Sequence, residues 1–182
     1  MDLDHRAERL HGAGQLTTSD AYHAPIDHRS TTTGQENQMI NDTIHRWHQH
    51  LRGTLAGGLD ELLADDVTLY SPIMSTPQHG RQITKMYVDA AAATLAGAHP
   101  NPGEPASESG FRYTKELLDG DTAILEFETT IEGTHINGVD IIRTDPNGKI
   151  IEIRVMIRPA RALQVVQEHM SAAIAAHQQR RG

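Results

Sequence analysis

The chain has 182 residues, no cysteine and a formal net charge of −8. That length allows about one ordinary domain beside a polar extension; the missing cysteines exclude disulfides, thiolate zinc sites and cysteine nucleophiles; and the acidic balance disfavours a nucleic-acid-binding surface. No segment approaches the roughly 18 apolar residues of a membrane span, and the opening "MDLDHRAERL" lacks the apolar run of a secretion signal, so a cytoplasmic protein without membrane or nucleic-acid partners is expected.

Residues 1–38 are rich in Thr, Ser, Gln, Asp, Gly and His and hold few large apolar side chains. They read as a disordered or loosely attached N-terminal extension, and Met39 is an alternative translation start. The folded part is expected over 39–159, with residues 160–182 as a C-terminal helix and tail. Asn41 is the expected N-cap of the first helix, which carries Ile40, Ile44, Trp47 and Leu51 at helical spacing. "GGLDELLADD" (57–66) reads as a second, short helix and "VTLYSP" (67–72) as a strand ended by Pro72. "GRQITKMYVDAAAATLAG" (80–97) is a helix with Ile83, Met86, Tyr87, Ala90 and Leu95 on or near one face and Gly97 as its C-cap. "AHPNPGEPASESG" (98–110) is a Pro- and Gly-rich loop of the kind that forms lids and rims. The period then changes: "FRYTKELL", "TAILEFETTIEG", "HINGVDIIRT" and "KIIEIRVMIRP" are four consecutive strands, and residues 160–178 return to helical spacing through Leu163, Val166, Met170 and Ile174. Helices followed by an antiparallel meander make an α+β pattern.

One residue conflicts with its setting: Asp140 stands among Val139, Ile141 and Ile142 in an apolar strand. "TDPNGK" is a tight hairpin signal. Placing Asp145 opposite Gly148 sets Asp140 opposite Ile153. In the "EGTH" hairpin, placing Glu132 opposite His135 sets Asp140 opposite Phe127. Directly paired residues share a face, so one face reads Ile131–Ile136–Ile157, Thr129–Gly138–Val155, Phe127–Asp140–Ile153 and Leu125–Ile142–Ile151. The other carries Glu126, Glu128, Glu152, Arg143, Arg154 and Arg158 mixed with Ile124, Val139 and Ile141. Asp140 is therefore expected to point into the apolar side of the sheet. Desolvation there raises a carboxyl pKa, which suits a catalytic acid or base. A structural Asp, bonded to a buried backbone group or a neighbouring Tyr, fits the same pattern.

Three segments, "LLADDVTLYSP" (62–72), "HGRQI" (79–83) and "GVDIIRTDPNGKIIEIRVMI" (138–157), resemble the nuclear transport factor 2-like superfamily in its SnoaL-like and ketosteroid isomerase-like branch. The resemblance implies a cone-shaped fold in which a curved antiparallel sheet wraps around the N-terminal helices, here with an extra C-terminal helix. It implies a concave face enclosing a small apolar ligand and a homodimer formed across the sheet. Asp140 matches the oxyanion-hole aspartic acid of the isomerases, an acid held neutral in an apolar site. The position of their catalytic base, just before the strand-ending Pro, is Ser71 here. Where their tyrosine projects from the first helix this chain has Trp47, His48 and His50. SnoaL-like cyclases, which rely on an Asp acid/base with His or polar helpers, are closest to what is present.

The expected catalytic set is Asp140 with His79 and Ser71 as helpers. The expected substrate wall is Trp47, His48, Tyr87, Leu125, Phe127, Ile142, Ile153, Val155 and Ile157. His79, Trp47 and Tyr87 also have plain structural readings, the first as a residue at the start of a helix and the others as core packing. His48 and His50, at i, i+2, cannot share a helix face. Of the twelve histidines, His45 and His48 are spaced to share a metal, but no third ligand follows at a suitable spacing, so no metal is expected. No Gly-rich phosphate loop is present, so no organic cofactor is expected. The functional expectation is acid/base chemistry, an isomerisation, cyclisation or dehydration of a polyketide- or terpenoid-like compound. The alternative is a non-catalytic ligand-binding or scaffold dimer.

Overall fold

A computed structural model describes residues 33–95 and 110–179, all within the unit spanning 31–182. The elements are α1 (Thr33–Leu51), α2 (Leu59–Leu62), β1 (Leu63–Tyr70), β2 (Gln78–His79), α3 (Arg81–Leu95), β3 (Arg112–Asp119), β4 (Thr122–Ile131), β5 (Thr134–Thr144), β6 (Ile150–Arg158) and α4 (Ala160–Gln179). The six strands form one curved sheet in the order β2-β1-β6-β5-β4-β3. The meander β3 to β6 is antiparallel throughout, as expected, but β1 joins its edge parallel to β6, so the sheet is mixed.

Several boundaries differ from expectation. α1 begins at Thr33, so Asn41 lies inside the helix, where its side chain donates to the Asn37 carbonyl. The added turns are tied down by Asn37 Oδ1, which accepts the Gly120 amide at 2.6 Å in the β3–β4 turn. "LADD" is strand rather than helix, because Leu63 already pairs with Ile150. β2 was not anticipated; its two residues pair with Thr68 and Leu69. On α3 the fully buried positions are Thr84, Val88, Ala90, Thr94 and Leu95 rather than Ile83 or Met86. The helix end is held by Thr129, whose hydroxyl donates to the Leu95 carbonyl at 2.8 Å. Gly97, loop 98–109 and residues 1–32 lie outside the described residues.

The inward face of the sheet is the expected one, but both hairpins sit two positions away from their expected registers. Glu132 and Gly133 form the β4–β5 turn with φ of 49° and 74°, the two-residue geometry with both central residues left-handed. Thr134 stays in the strand, as a β-branched residue prefers. Ile131 then faces Thr134, and Asp140 faces Leu125 instead of Phe127. At the other hairpin the Gly148 amide donates to Asp145 O, and Asp145 pairs with Lys149 in a three-residue loop. A bulge at Ile151 adds one more residue, so Asp140 faces Val155 instead of Ile153. A two-residue slip leaves every side chain on its face. Leu125, Phe127, Ile142 and Ile153 are accordingly buried, but the bulge buries Ile150 in place of Ile151.

Two apolar clusters fill the inward side. One joins Ile40, Ile44 and Trp47 of α1 and Leu59, Leu62 of α2 to Leu125, Ile142 and Ile153. The other joins Ala162, Val166 and Met170 of α4 to Phe127, Ile131 and Ile136. The C-terminal helix thus covers one end of the concave face.

Candidate functional site

The inward row through Asp140 is Leu125–Asp140–Val155, so the carboxyl leaves the backbone between two apolar side chains. The row above it is Tyr113–Phe127–Gly138–Ile157. Tyr113 reaches diagonally out of that row, and its hydroxyl donates to Asp140 Oδ2 at 2.7 Å. The Tyr113 hydroxyl oxygen in turn accepts the Trp47 indole N–H at 2.9 Å. Asp140 Oδ1 makes no hydrogen bond among the described residues. Asp140 is buried, yet it keeps 8% of its surface accessible.

These contacts set the electrostatics. Burial raises the Asp140 pKa from its ordinary 3.8 to about 6, and the hydrogen bond from Tyr113 holds it back from rising further. Burial also pushes the Tyr113 hydroxyl well above its ordinary value, and the adjacent Asp140 carboxylate adds to the rise. The phenol therefore keeps its proton wherever the carboxyl titrates. Tyr113 is boxed in by rings: His48 stacks on it at 5.5 Å and 30°, and Phe111 meets it edge-on at 5.1 Å and 81°. His48 Nε2 lies 3.1 Å from Glu116 Oε1. Burial lowers the His48 pKa from its ordinary value, and the Glu116 charge opposes that.

The remaining candidates divide. His48 and Trp47 both reach Tyr113, one on its ring and one on its hydroxyl; His50 lies on the Trp47 side, 6.0 Å from the indole. His79 does not belong to the site. It is exposed at the sheet edge and its Nδ1 lies 3.1 Å from Thr68 Oγ1, on the face opposite Val67 and Leu69. Ser71 is buried just beyond β1, where its Oγ accepts the Ile73 amide at 3.4 Å; β6 separates β1 from the strand of Asp140. Leu125, Phe127, Ile142 and Ile153 are core residues with almost no accessible surface, while Val155 and Ile157 are partly buried beside them.

A groove of about 300 Å³ lies between α3, α4 and the segment after β1, lined by Ile73, Met74, Tyr87, Gln167, Ser171, Ile174 and Ala175. Of the expected wall residues only Tyr87 lines it. Asp140 does not line this groove; Trp47 and the Phe111, Tyr113 and Phe127 rings lie about the carboxyl, the last three in the cluster that α4 packs against. The groove is at the lower end of the roughly 300–1,000 Å³ range of small-molecule sites. Among the described residues no three His, Asp or Glu side chains come together in a metal-binding cluster, and no helix is long and apolar enough to cross a membrane.

Tyr113 is the residue that sequence reasoning left out. The register of β3 slips between Tyr113 and Lys115, so pairing could not be fixed along that strand from the sequence.

A curved sheet packed on helices, with a buried acid–phenol pair on its inward face, defines a class of α+β proteins built around a concave sheet. The chain has the fold of the nuclear transport factor 2-like proteins. It is similar to a steroid delta-isomerase from Pseudomonas aeruginosa, at 27% identity and a TM-score of 0.66 over 78% of this chain and 95% of that one. It shares its fold with a bacterial protein of cystatin-like fold from Silicibacter pomeroyi, at 24% identity, a TM-score of 0.53, and 63% and 72% of the two chains. It shares it also with a protein of unknown function from Mesorhizobium loti, at 16% identity, a TM-score of 0.53, and 68% and 94% coverage. No family model and no curated protein matches the sequence.

Proposed function

We propose that the protein is a cofactor-independent acid/base catalyst acting on a small, largely apolar molecule, with Asp140 as the group that exchanges the proton. The observation that carries this reading is the Tyr113–Asp140 pair: a buried carboxyl of pKa about 6, with Oδ2 engaged by a phenol and Oδ1 without a partner among the described residues. Such a carboxyl is mostly ionised at pH 7 and binds a proton more readily than an ordinary Asp, so Oδ1 takes a proton from an activated carbon and returns it to another. No electrons are transferred and no group is lost, so the simplest outcome is an isomerisation. Cyclisation and dehydration of polyketide- or terpenoid-like compounds use the same proton movements. The similarity to a steroid delta-isomerase supports this reaction class. Ser71 in place of a second carboxylate and Trp47 in place of a helix tyrosine argue for a substrate other than a steroid.

The test is conversion of β,γ-unsaturated cyclic ketones of one, two and four rings to their conjugated isomers, followed by ultraviolet absorbance. The wild type should convert the smaller ketones, and Asp140→Asn should lower the rate by roughly 10²-fold or more, the scale of general acid–base catalysis. Equal rates for the two proteins would overturn the role of Asp140.

A second reading, a non-catalytic ligand-binding or scaffold protein, is favoured by one observation: the groove is not lined by Asp140. In that case the ketones bind without turnover, and Tyr87→Ala weakens binding while Asp140→Asn does not. Under either reading we propose a homodimer across the outward face of the sheet. That face sets Glu126 and Glu128 of β4 against Arg154 and Arg158 of β6, around exposed Ile124 and Met156. A two-fold axis would bring acids of one copy near arginines of the other. Sedimentation showing a monomer at micromolar concentration would remove the dimer.

A further inference from the structure

The hydrogen-bond inventory around Tyr113 leads beyond the role of Asp140. We infer that Trp47 is a positioning residue: its indole N–H turns the Tyr113 hydroxyl proton onto Asp140 Oδ2 and thereby leaves Oδ1 as the oxygen that exchanges a proton. The second half of this statement rests on the proposed acid/base function; the first half does not.

An indole N–H only donates, whereas a phenol hydroxyl has one proton to give and two lone pairs to receive with. Trp47 Nε1 lies 2.9 Å from the Tyr113 oxygen, so one lone pair of that oxygen is taken. Asp140 Oδ2, at 2.7 Å, is the acceptor that receives the phenol proton. Trp47 has little freedom to do otherwise. It is 4% exposed and packed with Ile40 and Ile44, and a buried indole N–H needs a partner. The Tyr113 ring is equally confined, between His48 on its face and Phe111 at its edge. With both rings fixed, the free variable is the torsion of the hydroxyl, and Trp47 sets it. A donor into the phenol oxygen also polarises the O–H, so the bond to Asp140 strengthens cooperatively. When the acid is neutral, its proton then resides on Oδ1.

Trp47 is the only tryptophan of the chain, which permits an exact replacement. Biosynthetic substitution by benzothienylalanine keeps the shape of the indole and replaces its N–H with sulfur. The measurement is the Asp140 carboxyl titration by carbon NMR in the ligand-free full chain, for wild type, the benzothienyl protein, Trp47→Phe, Tyr113→Phe and the combination of Tyr113→Phe with the benzothienyl residue. The other titratable groups facing the pair are Glu116 on β3 and His48 on α1, so Glu116→Gln is titrated alongside. Loss of the N–H should move the midpoint upward, by on the order of threefold in the proton-dissociation constant. Tyr113→Phe should move it further, and in that background the benzothienyl replacement should change nothing, because Trp47 acts through the phenol. A role in packing alone predicts equal effects in both backgrounds. That result, or an unmoved midpoint in the benzothienyl protein, overturns the inference. No substrate enters the titration, so a failed ketone assay and a failed relay are separate outcomes.

Discussion

Gly138 and Phe127 face each other across β4 and β5, and the Phe127 ring occupies the space a side chain on Gly138 would need. A Cβ there would meet Phe127 Cζ at 2.2 Å and the Met156 carbonyl at 2.8 Å. The ring is 1% exposed and packs on Phe111 at 5.2 Å, so it has no open space to enter. Gly138→Ala should therefore cost about 2–3 kcal/mol, the scale of core overpacking. Phe127→Leu should relieve part of that cost, giving a favourable coupling in a urea-unfolding double-mutant cycle. Additive losses would show that the backbone contact with Met156, not the ring, is decisive.

Asp140 should make stability fall with rising pH. Its folded pKa of about 6 lies above its ordinary 3.8, so the folded state binds the proton more tightly than the unfolded state. The contribution is fully favourable below about 3.8, declines through the window up to about 6 and is lost above it. At about 1.4 kcal/mol per factor of ten, the penalty above the window is about 3 kcal/mol. Asp140→Asn removes it while keeping an acceptor for Tyr113. The variant should be more stable than wild type at pH 8 and lose that advantage on acidification. Parallel stability curves for the two proteins would contradict the raised pKa.

The β4–β5 turn holds Glu132 at φ 49°, a conformation that costs most side chains energy and that Asn tolerates. Glu132→Asn should stabilise the protein by roughly 0.5–1 kcal/mol. The substitution gives up the 3.3 Å contact with His169, an exposed pair whose worth is small. A thermal melt that moves downward would show that the pair outweighs the turn.

The early start of α1 has an energetic consequence. Asn37 Oδ1 receives the Gly120 amide, so the first turns of the helix hold the β3–β4 corner. Asn37→Ala should cost about 1 kcal/mol, the net value of one such bond. A chain beginning at Met39 should lose at least as much. Equal urea midpoints for the full chain and the shortened one would make the contact dispensable.

The inward and outward faces of the meander were legible in the sequence, because side chains alternate and only one parity is apolar. That is why Asp140 could be assigned to the inward side and why Leu125, Phe127, Ile142 and Ile153 are buried where they were expected. The same period of two is blind to an even slip. The neighbours of Asp140, Leu125 and Val155, were set by the backbone of two turns and a bulge at Ile151. α1 was legible from Ile40 onward through its apolar spacing. Its first turns carry Gly, Gln, Glu and Asn and are held by a contact 83 residues away, which no local pattern announces. His79 was misplaced for a related reason: a two-residue strand exists only because β1 is there to pair with it.

Composition and periodicity were enough to identify an α+β chain with a carboxyl on the apolar side of its sheet, since burial of alternate side chains is a local property of each strand. The partner of that carboxyl was a matter of folding in three dimensions. Tyr113 comes from a strand whose register slips, and Trp47 from a helix 66 residues earlier. Hydrogen bonds between such distant segments depend on angles and distances that the chain acquires only when the sheet curves around α1.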